Sequence, residues 1–373
     1  MPEDIFPDTF ILPEKTIHGR GAISGLLPEC SRFGKRGALL HGKALDTSTA
    51  LAAIMGRKPN GTEVLTLRHQ GGEPTLAQMS ELLEQTRDFQ AQWIAGIGGG
   101  SVLDLSKAVS ALINTTHPPS YYHDGGPIEQ PGIPFIAAPT TAGTGSEATL
   151  NSVITNEATG IKKSIRDNSM MAKVVILDPA LMATCPPAVI AASGMDALTQ
   201  AIEAFTSRQA TWISDAYALK GIHLIAANLT AVYRDPSAEQ ADTLLTGSYL
   251  AGMALSLARL GVVHGIAHPL GSLYHVPHGI VCAACLPLAV ELNREAFGSK
   301  YARMSEAACG DLLDRVNTLM ADMDFKSPFV GKPLTHKERI IDETLASGST
   351  KANPKPITRQ DVEWMLTRLF AGQ

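Results

Sequence analysis

Asp196 and Gln200 stand four residues apart in the stretch GMDALTQAIEAF (Gly194–Phe205). If that stretch is helical, both side chains leave one face a turn apart. A carboxylate and a second donor at this spacing can hold a metal ion. The usual second donor is histidine, whose imidazole binds divalent metals well; here it is a neutral amide. The stretch GVVHGIAHPLGSLYHVPHG (Gly261–Gly279) then carries four of the eleven histidines: His264, His268, His275 and His278. His264 and His268 have helical spacing, and the other two follow a Gly/Ser break. A lone histidine in an apolar helix is most often a hydrogen-bonded core residue. Four so close together, taken with Asp196, predict a metal or catalytic site.

A second chemistry is suggested by GIGGGSVLDLSKAVSAL (Gly96–Leu112). Gly98, Gly99 and Gly100 let backbone N–H groups approach a ligand, and the following helix adds its positive end. The pattern suits a pyrophosphate, although Ser101 stands where the usual fingerprint has its last glycine. Asp104, in the first turn, either complements the helix dipole or contacts a sugar or amide. After the next apolar run, APTTAGTGSEATLNS (Ala138–Ser152) offers Thr140, Thr141, Thr144 and Ser146, either as a ligand-facing loop or as a hydroxyl-rich turn. Ser146 lacks the flanks of a hydrolase nucleophile elbow.

These residues need positioning elements. Short apolar runs at Gly37–Leu45, Thr62–His69, Trp93–Ser101 and Ile133–Thr141 read as strands, with a helix over Thr75–Gln90. The alternation predicts a mostly parallel sheet covered by helices. One more strand follows within Ala172–Pro187, after which helical patterns dominate. The reading is an α/β domain over residues 1–183 and an all-α domain over residues 184–373.

Length and composition agree with two globular domains: 373 residues, 45% hydrophobic and 18% charged. A net charge of −5 gives no basic excess for nucleic acid or anionic lipid. No apolar run reaches membrane-spanning length, and the acidic N-terminus lacks a signal-peptide core. Five scattered cysteines predict free thiols and a cytoplasmic setting. Cys282 and Cys285, inside the apolar IVCAACLPLAV, read as core packing, with redox or zinc roles as alternatives.

GIGGGSVLDLSKA, APTTAGTGSEAT, SGMDALTQAIEAF and GVVHGIAHPLGSLYHVPHG occur together, in the order and spacing of one family. The chain resembles the iron-containing (group III) alcohol dehydrogenases. The resemblance implies the dehydroquinate synthase-like fold: an N-terminal dinucleotide-binding α/β domain, a helical C-terminal domain, and an active site in the cleft between them. It implies that Gly98, Gly99, Gly100 and Ser101 hold the cofactor pyrophosphate. Asp104, Thr140, Thr141, Ser146, Asn151 and Lys162 would line the rest of the cofactor path. Asp196, His264 and His278 match metal ligands, His268 matches an additional active-site histidine, and Gln200 stands where the family usually has a metal-binding histidine. A homodimer or higher homo-oligomer would be expected.

The implied activity is hydride transfer between NAD or NADP and a small alcohol or aldehyde, assisted by Fe²⁺ or Zn²⁺. Without a histidine at position 200 the site would be less selective for iron. Gly42 falls where NAD-preferring relatives often place an aspartate, next to Lys43, so NADP is an equal candidate. The alternatives are a metal-independent reductase similar to maleylacetate reductase, or a dehydroquinate synthase-like lyase.

Overall fold

The computed structural model describes residues 9–46 and 48–372. It forms two compact units, one made of residues 11–141 and 146–185, the other of residues 9–10, 142–145 and 186 onward.

The first unit is built on a six-stranded, all-parallel sheet. In chain order its strands are β1 (Lys15–His18), β2 (Arg36–His41), β3 (Glu63–Arg68), β4 (Ile94–Gly98) and β5 (Phe135–Pro139). A separate antiparallel hairpin, β6 (Asn151–Asn156) with β7 (Ile161–Arg166), precedes the last sheet strand, β8 (Val174–Leu177). The sheet order is β1-β8-β5-β4-β2-β3. Its central strands read as unbroken apolar runs because helices and loops cover both faces. Every residue of β4, β5 and β8 is buried. The helices here are α1 (Leu26–Cys30), α2 (Ala50–Gly56), α3 (Leu76–Asp88), α4 (Gly100–Leu112) and α5 (Pro119–His123). Thr75 and Gln78 close the start of α3 with reciprocal side-chain bonds.

The second unit is helical: α6 (Pro187–Thr206), α7 (Trp212–Arg234), α8 (Gln240–Ala258), α9 (Val262–Tyr274), α10 (His278–Phe297), α11 (Ser299–Ala307), α12 (Leu312–Asp322), α13 (Lys337–Ala346), α14 (Gly348–Lys351) and α15 (Arg359–Ala371). Helices α6, α7 and α8 pack on one another, while α9, α10, α13 and α15 share a second apolar core. Among the described residues no single helix is long and apolar enough to cross a membrane.

Two features depart from the sequence reading. The strand read within Gly37–Leu45 is preceded by the short β1, so the glycine turn follows the fourth strand rather than the third. Residues 142–145, read as part of one continuous polar loop, pack with the helical unit.

Candidate functional site: strand ends and an imidazole cluster

The carboxyl ends of β2, β4 and β5 lie side by side in the first unit. Gly42 follows β2, Gly98 ends β4, and Gly99 caps α4, whose first residues are Gly100 and Ser101. Thr140 N–H donates to the Gly98 carbonyl at 3.0 Å, which ties the β5 exit to the glycine turn. A Cβ at Gly98 would fall 2.5 Å from the Val102 side chain, so the turn can run this close to its helix only with glycine there. One at Gly99 would stand 3.3 Å from the Thr141 hydroxyl. The backbone therefore enters α4 with its amides at the strand ends, where parallel sheets meet anionic ligands.

Behind this turn the polar groups are matched internally. Asp104 accepts from the Ser146 hydroxyl and, at 3.0 Å, from the Val153 N–H. Lys107, fully buried, donates to the carbonyls of Ser146, Thr149 and Asn151 and to the Thr149 hydroxyl. Burial raises the Asp104 pKa against the pull of the Lys107 ammonium. Burial likewise lowers Lys107 to about 8, against the attraction of Asp104 and Glu147. This cluster ties α4 to the chain leading into β6. Asn151 begins β6, and the Lys162 ammonium on β7 pairs with Glu73 at 2.6 Å.

In the helical unit, α6, α9 and α10 converge. Asp196 and Gln200 are buried on one face of α6. Gly279 at the start of α10 allows contact with the α6 backbone, since a Cβ there would fall 2.4 Å from the Ala192 carbonyl oxygen. That approach brings His278 Nε2 to 3.9 Å from Asp196 Oδ1. His264, on the first turns of α9, places Nε2 3.3 Å from the same oxygen. His268 stacks on His278 with ring centroids 5.3 Å apart. His275 is left out: it caps α9 in the left-handed conformation and is exposed.

Two more residues complete the cluster: Glu203, not singled out in the sequence, and Cys282, read there as core packing with redox or zinc roles as alternatives. Glu203 Oε2 lies 2.6 Å from His264 Nδ1, and its Oε1 accepts from the Val263 N–H at 2.6 Å. The carboxylate thus satisfies one free amide at the start of α9 and fixes the His264 ring. Cys282 Sγ lies 3.5 Å from His278 Nε2. One atom each from Asp196, His264, His278 and Cys282 falls within 4.8 Å of all the others. Spacing could have exposed both residues, because Glu203 is seven after Asp196 and Cys282 four after His278.

The protonation chemistry of the cluster decides what it suits. An ionised carboxylate only accepts, so His264 Nδ1 must carry the hydrogen shared with Glu203. In the neutral ring Nε2 then presents a lone pair to Asp196 Oδ1. Both atoms are buried with no hydrogen-bond partner among the described residues. Two lone pairs facing each other at 3.3 Å require a positive charge between them. Without a metal a proton supplies it: burial disfavours the imidazolium, yet Glu203 and Asp196 outweigh burial and raise His264 to about 10. Burial would raise Asp196, but His264 and His278 hold it below its ordinary value. One carboxylate and two imidazoles also form a normal donor set for a divalent metal.

Residues 13–179 match the iron-containing alcohol dehydrogenase family, and residues 190–370 match the C-terminal domain of the Fe-containing alcohol dehydrogenase family. The chain belongs to the iron-containing alcohol dehydrogenases. It is 36% identical over 296 residues to lactaldehyde reductase of Escherichia coli K12, covering 78% of this chain and 77% of that one. It is 34% identical over 368 residues to sulfoacetaldehyde reductase of Bilophila wadsworthia, covering 96% and 92%. A solved sulfoacetaldehyde reductase from Bifidobacterium kashiwanohense, in complex with NAD⁺, superposes with a TM-score of 0.91 at 25% identity, covering 99% of this chain and 100% of that one. Members of this family are alcohol dehydrogenases and aldehyde reductases that use NAD(P) and iron or another divalent metal. The chain is an oxidoreductase of that CH–OH class, and neither the metal-independent reductase nor the lyase is favoured.

Proposed function

We propose that the chain interconverts a small alcohol and its aldehyde, with Asp196, His264 and His278 holding the divalent cation. The observation that carries this reading is the buried convergence of His264 Nε2, at 3.3 Å, and His278 Nε2, at 3.9 Å, on one oxygen of Asp196. When bound, the cation would draw charge from the substrate oxygen, and the nicotinamide would exchange the hydride.

The chain's own residues do the rest. Glu203 holds the His264 ring in one tautomer and points Nε2 inward. Asp196 supplies the negative charge that retains a cation, and Gln200 stands a turn away with its amide nitrogen 3.1 Å from Asp196 Oδ2. His268, stacked on His278, relays the proton that alcohol oxidation releases. Gly98, Gly99, Gly100 and Ser101 receive the pyrophosphate, with Thr140 and Thr141 beside it. Asp104 and Ser146 act by bracing α4, while Asn151 and Lys162 continue the cofactor path. At the β2 end, Gly42 offers no carboxylate to repel a 2′-phosphate, so the reading covers NADP as well as NAD. It also includes a homodimer or larger homo-oligomer and a cytoplasmic location.

Metal analysis of freshly purified protein, paired with an alcohol and aldehyde panel run with NAD and NADP, tests this reading. About one divalent metal per chain and turnover of at least one small alcohol are expected. Full turnover by protein stripped of metal would overturn it.

A further inference from the structure

We propose that Cys282 supplies the fourth protein donor to the cation, and that Gln200 positions Asp196 instead of coordinating. This inference rests on the metal site proposed above and says which atoms complete it.

The two amide atoms of Gln200 are not interchangeable here. Nε2 lies 3.1 Å from Asp196 Oδ2. A carboxylate accepts and cannot donate, so the nitrogen must face it. The bond holds the carboxylate with its other oxygen, Oδ1, toward His264 and His278. The amide oxygen then faces the 142–145 segment, 3.7 Å from where a Cβ on Gly145 would stand. To coordinate, Gln200 would have to give up its bond to Asp196 and turn over.

Cys282 needs no such rearrangement. It stands one turn after His278 on the same face of α10, fully buried. Metal bonds of about 2.0–2.3 Å to oxygen, nitrogen and sulfur give tetrahedral edges of about 3.3–3.8 Å between donor atoms. The separations found are 3.3 Å for Asp196 Oδ1 to His264 Nε2, 3.5 Å for Cys282 Sγ to His278 Nε2, and 3.9 Å for Asp196 Oδ1 to His278 Nε2. Those three separations suit one small cation, all four atoms lie within 4.8 Å of one another, and such a cation can take a fifth donor when substrate binds. On binding, the thiol gives its proton to solvent and the sulfur takes the metal. Cys285, three residues on, lies in the apolar core and is not among the four.

A sulfur donor changes the metal preferred. Thiolate favours zinc over ferrous iron, and zinc also stands higher in the general affinity order. Position 200 holds an amide that faces Asp196, and a thiol stands beside His278. The site is therefore assigned to zinc, with an Asp–His–His–Cys donor set.

Cobalt(II) reports sulfur ligation directly. Full-length protein, stripped of metal and given one equivalent of cobalt(II) without oxygen, should bind about one ion per chain. It should show the intense near-ultraviolet charge-transfer band of thiolate-bound cobalt, an observation on the unaltered chain that needs no variant to fold. Cys282→Ser should lose the band and bind cobalt at least about tenfold more weakly. Cys285→Ser and Gln200→Ala should keep the band. In protein isolated from medium containing both metals, Cys282→Ser should also lower the zinc-to-iron ratio. One cobalt bound, released in His264→Ala but lacking the sulfur band, would overturn the Cys282 assignment and leave the metal site standing. No binding, or binding indifferent to His264→Ala, would overturn the site and this inference with it.

Discussion

Two of the places where the chain buries charge are treated differently. Behind the glycine turn, Lys107 has four oxygen acceptors and both oxygens of Asp104 receive donors. Among the helices, Asp196 Oδ1 and His264 Nε2 are equally buried and have no hydrogen-bond partner among the described residues. A buried polar atom left unmatched costs about 1–3 kcal/mol, so a fold keeps several together only where something else satisfies them. On the proposed function, the first cluster is bracing that shapes a ligand surface made of backbone, and the second is itself the ligand surface.

The largest effect should come from removing a donor in the second cluster. His264→Ala is expected to empty the site of metal and to lower kcat by roughly a thousandfold, the scale of losing several kcal/mol of charge stabilisation. Its thermal unfolding should change much less, because the pocket lies ready without the ring. Metal analysis and calorimetry on one sample check both halves. A variant that unfolds yet keeps its metal when folded would erase the contrast between the clusters.

Lys107→Met is the converse. It strands the carbonyls of Ser146, Thr149 and Asn151 and leaves Asp104 without its countercharge. A loss of about 3 kcal/mol of stability is expected, with metal content unchanged. Denaturant titration beside elemental analysis decides it, and selective metal loss in this variant would break the comparison from the other side.

Glu203→Gln should fall between scaffold and ligand. Glutamine can still accept from His264 Nδ1–H but carries no charge to support it. Metal affinity should drop by about tenfold to a hundredfold, with Glu203→Ala worse than Glu203→Gln. Equal affinity in all three proteins would remove Glu203 from the site.

How much of this could be read beforehand follows the same division. The buried parallel strands were visible because both faces are covered, so β2, β4, β5 and β8 are short apolar runs. Strand β1 was not, since KTIH is mostly exposed and too short to show a period. The hairpin β6–β7 overlaps the stretch read as a polar loop only at Asn151 and Ser152, and the rest of it was given no element. Asp196, His264 and His278 were visible because their residue types are chemically marked. Glu203 and Cys282 have the right helical spacing, but a glutamate or a cysteine on a helix is ordinary. Only the close crossing of α6 and α10 at Gly279, and the turn of α9 against Glu203, show that they face the same centre. Gln200 marks the limit of motif reading. Its position suggests a ligand, while its hydrogen bond shows what the amide nitrogen can do there.

The smallest expected effect tests the bracing cluster by titration. Glu147, buried in the short turn Ser146–Ala148, is raised by burial to about 7, against the pull of its backbone bond and Lys107. An unfolded glutamate has its ordinary value of about 4.3. Between these two values the folded chain keeps a proton that the unfolded chain has released. Stability must therefore fall as pH rises through that window, and this contribution levels off above pH 7. Glu147→Gln removes the ionisation while Asp104 remains to balance Lys107. The variant should match the parent near pH 5 and exceed it by on the order of 1 kcal/mol near pH 8. Denaturant midpoints at the two pH values measure the difference. Parallel pH profiles would mean that Glu147 is as well satisfied as its neighbours, and the bracing cluster would then hold no strained charge at all.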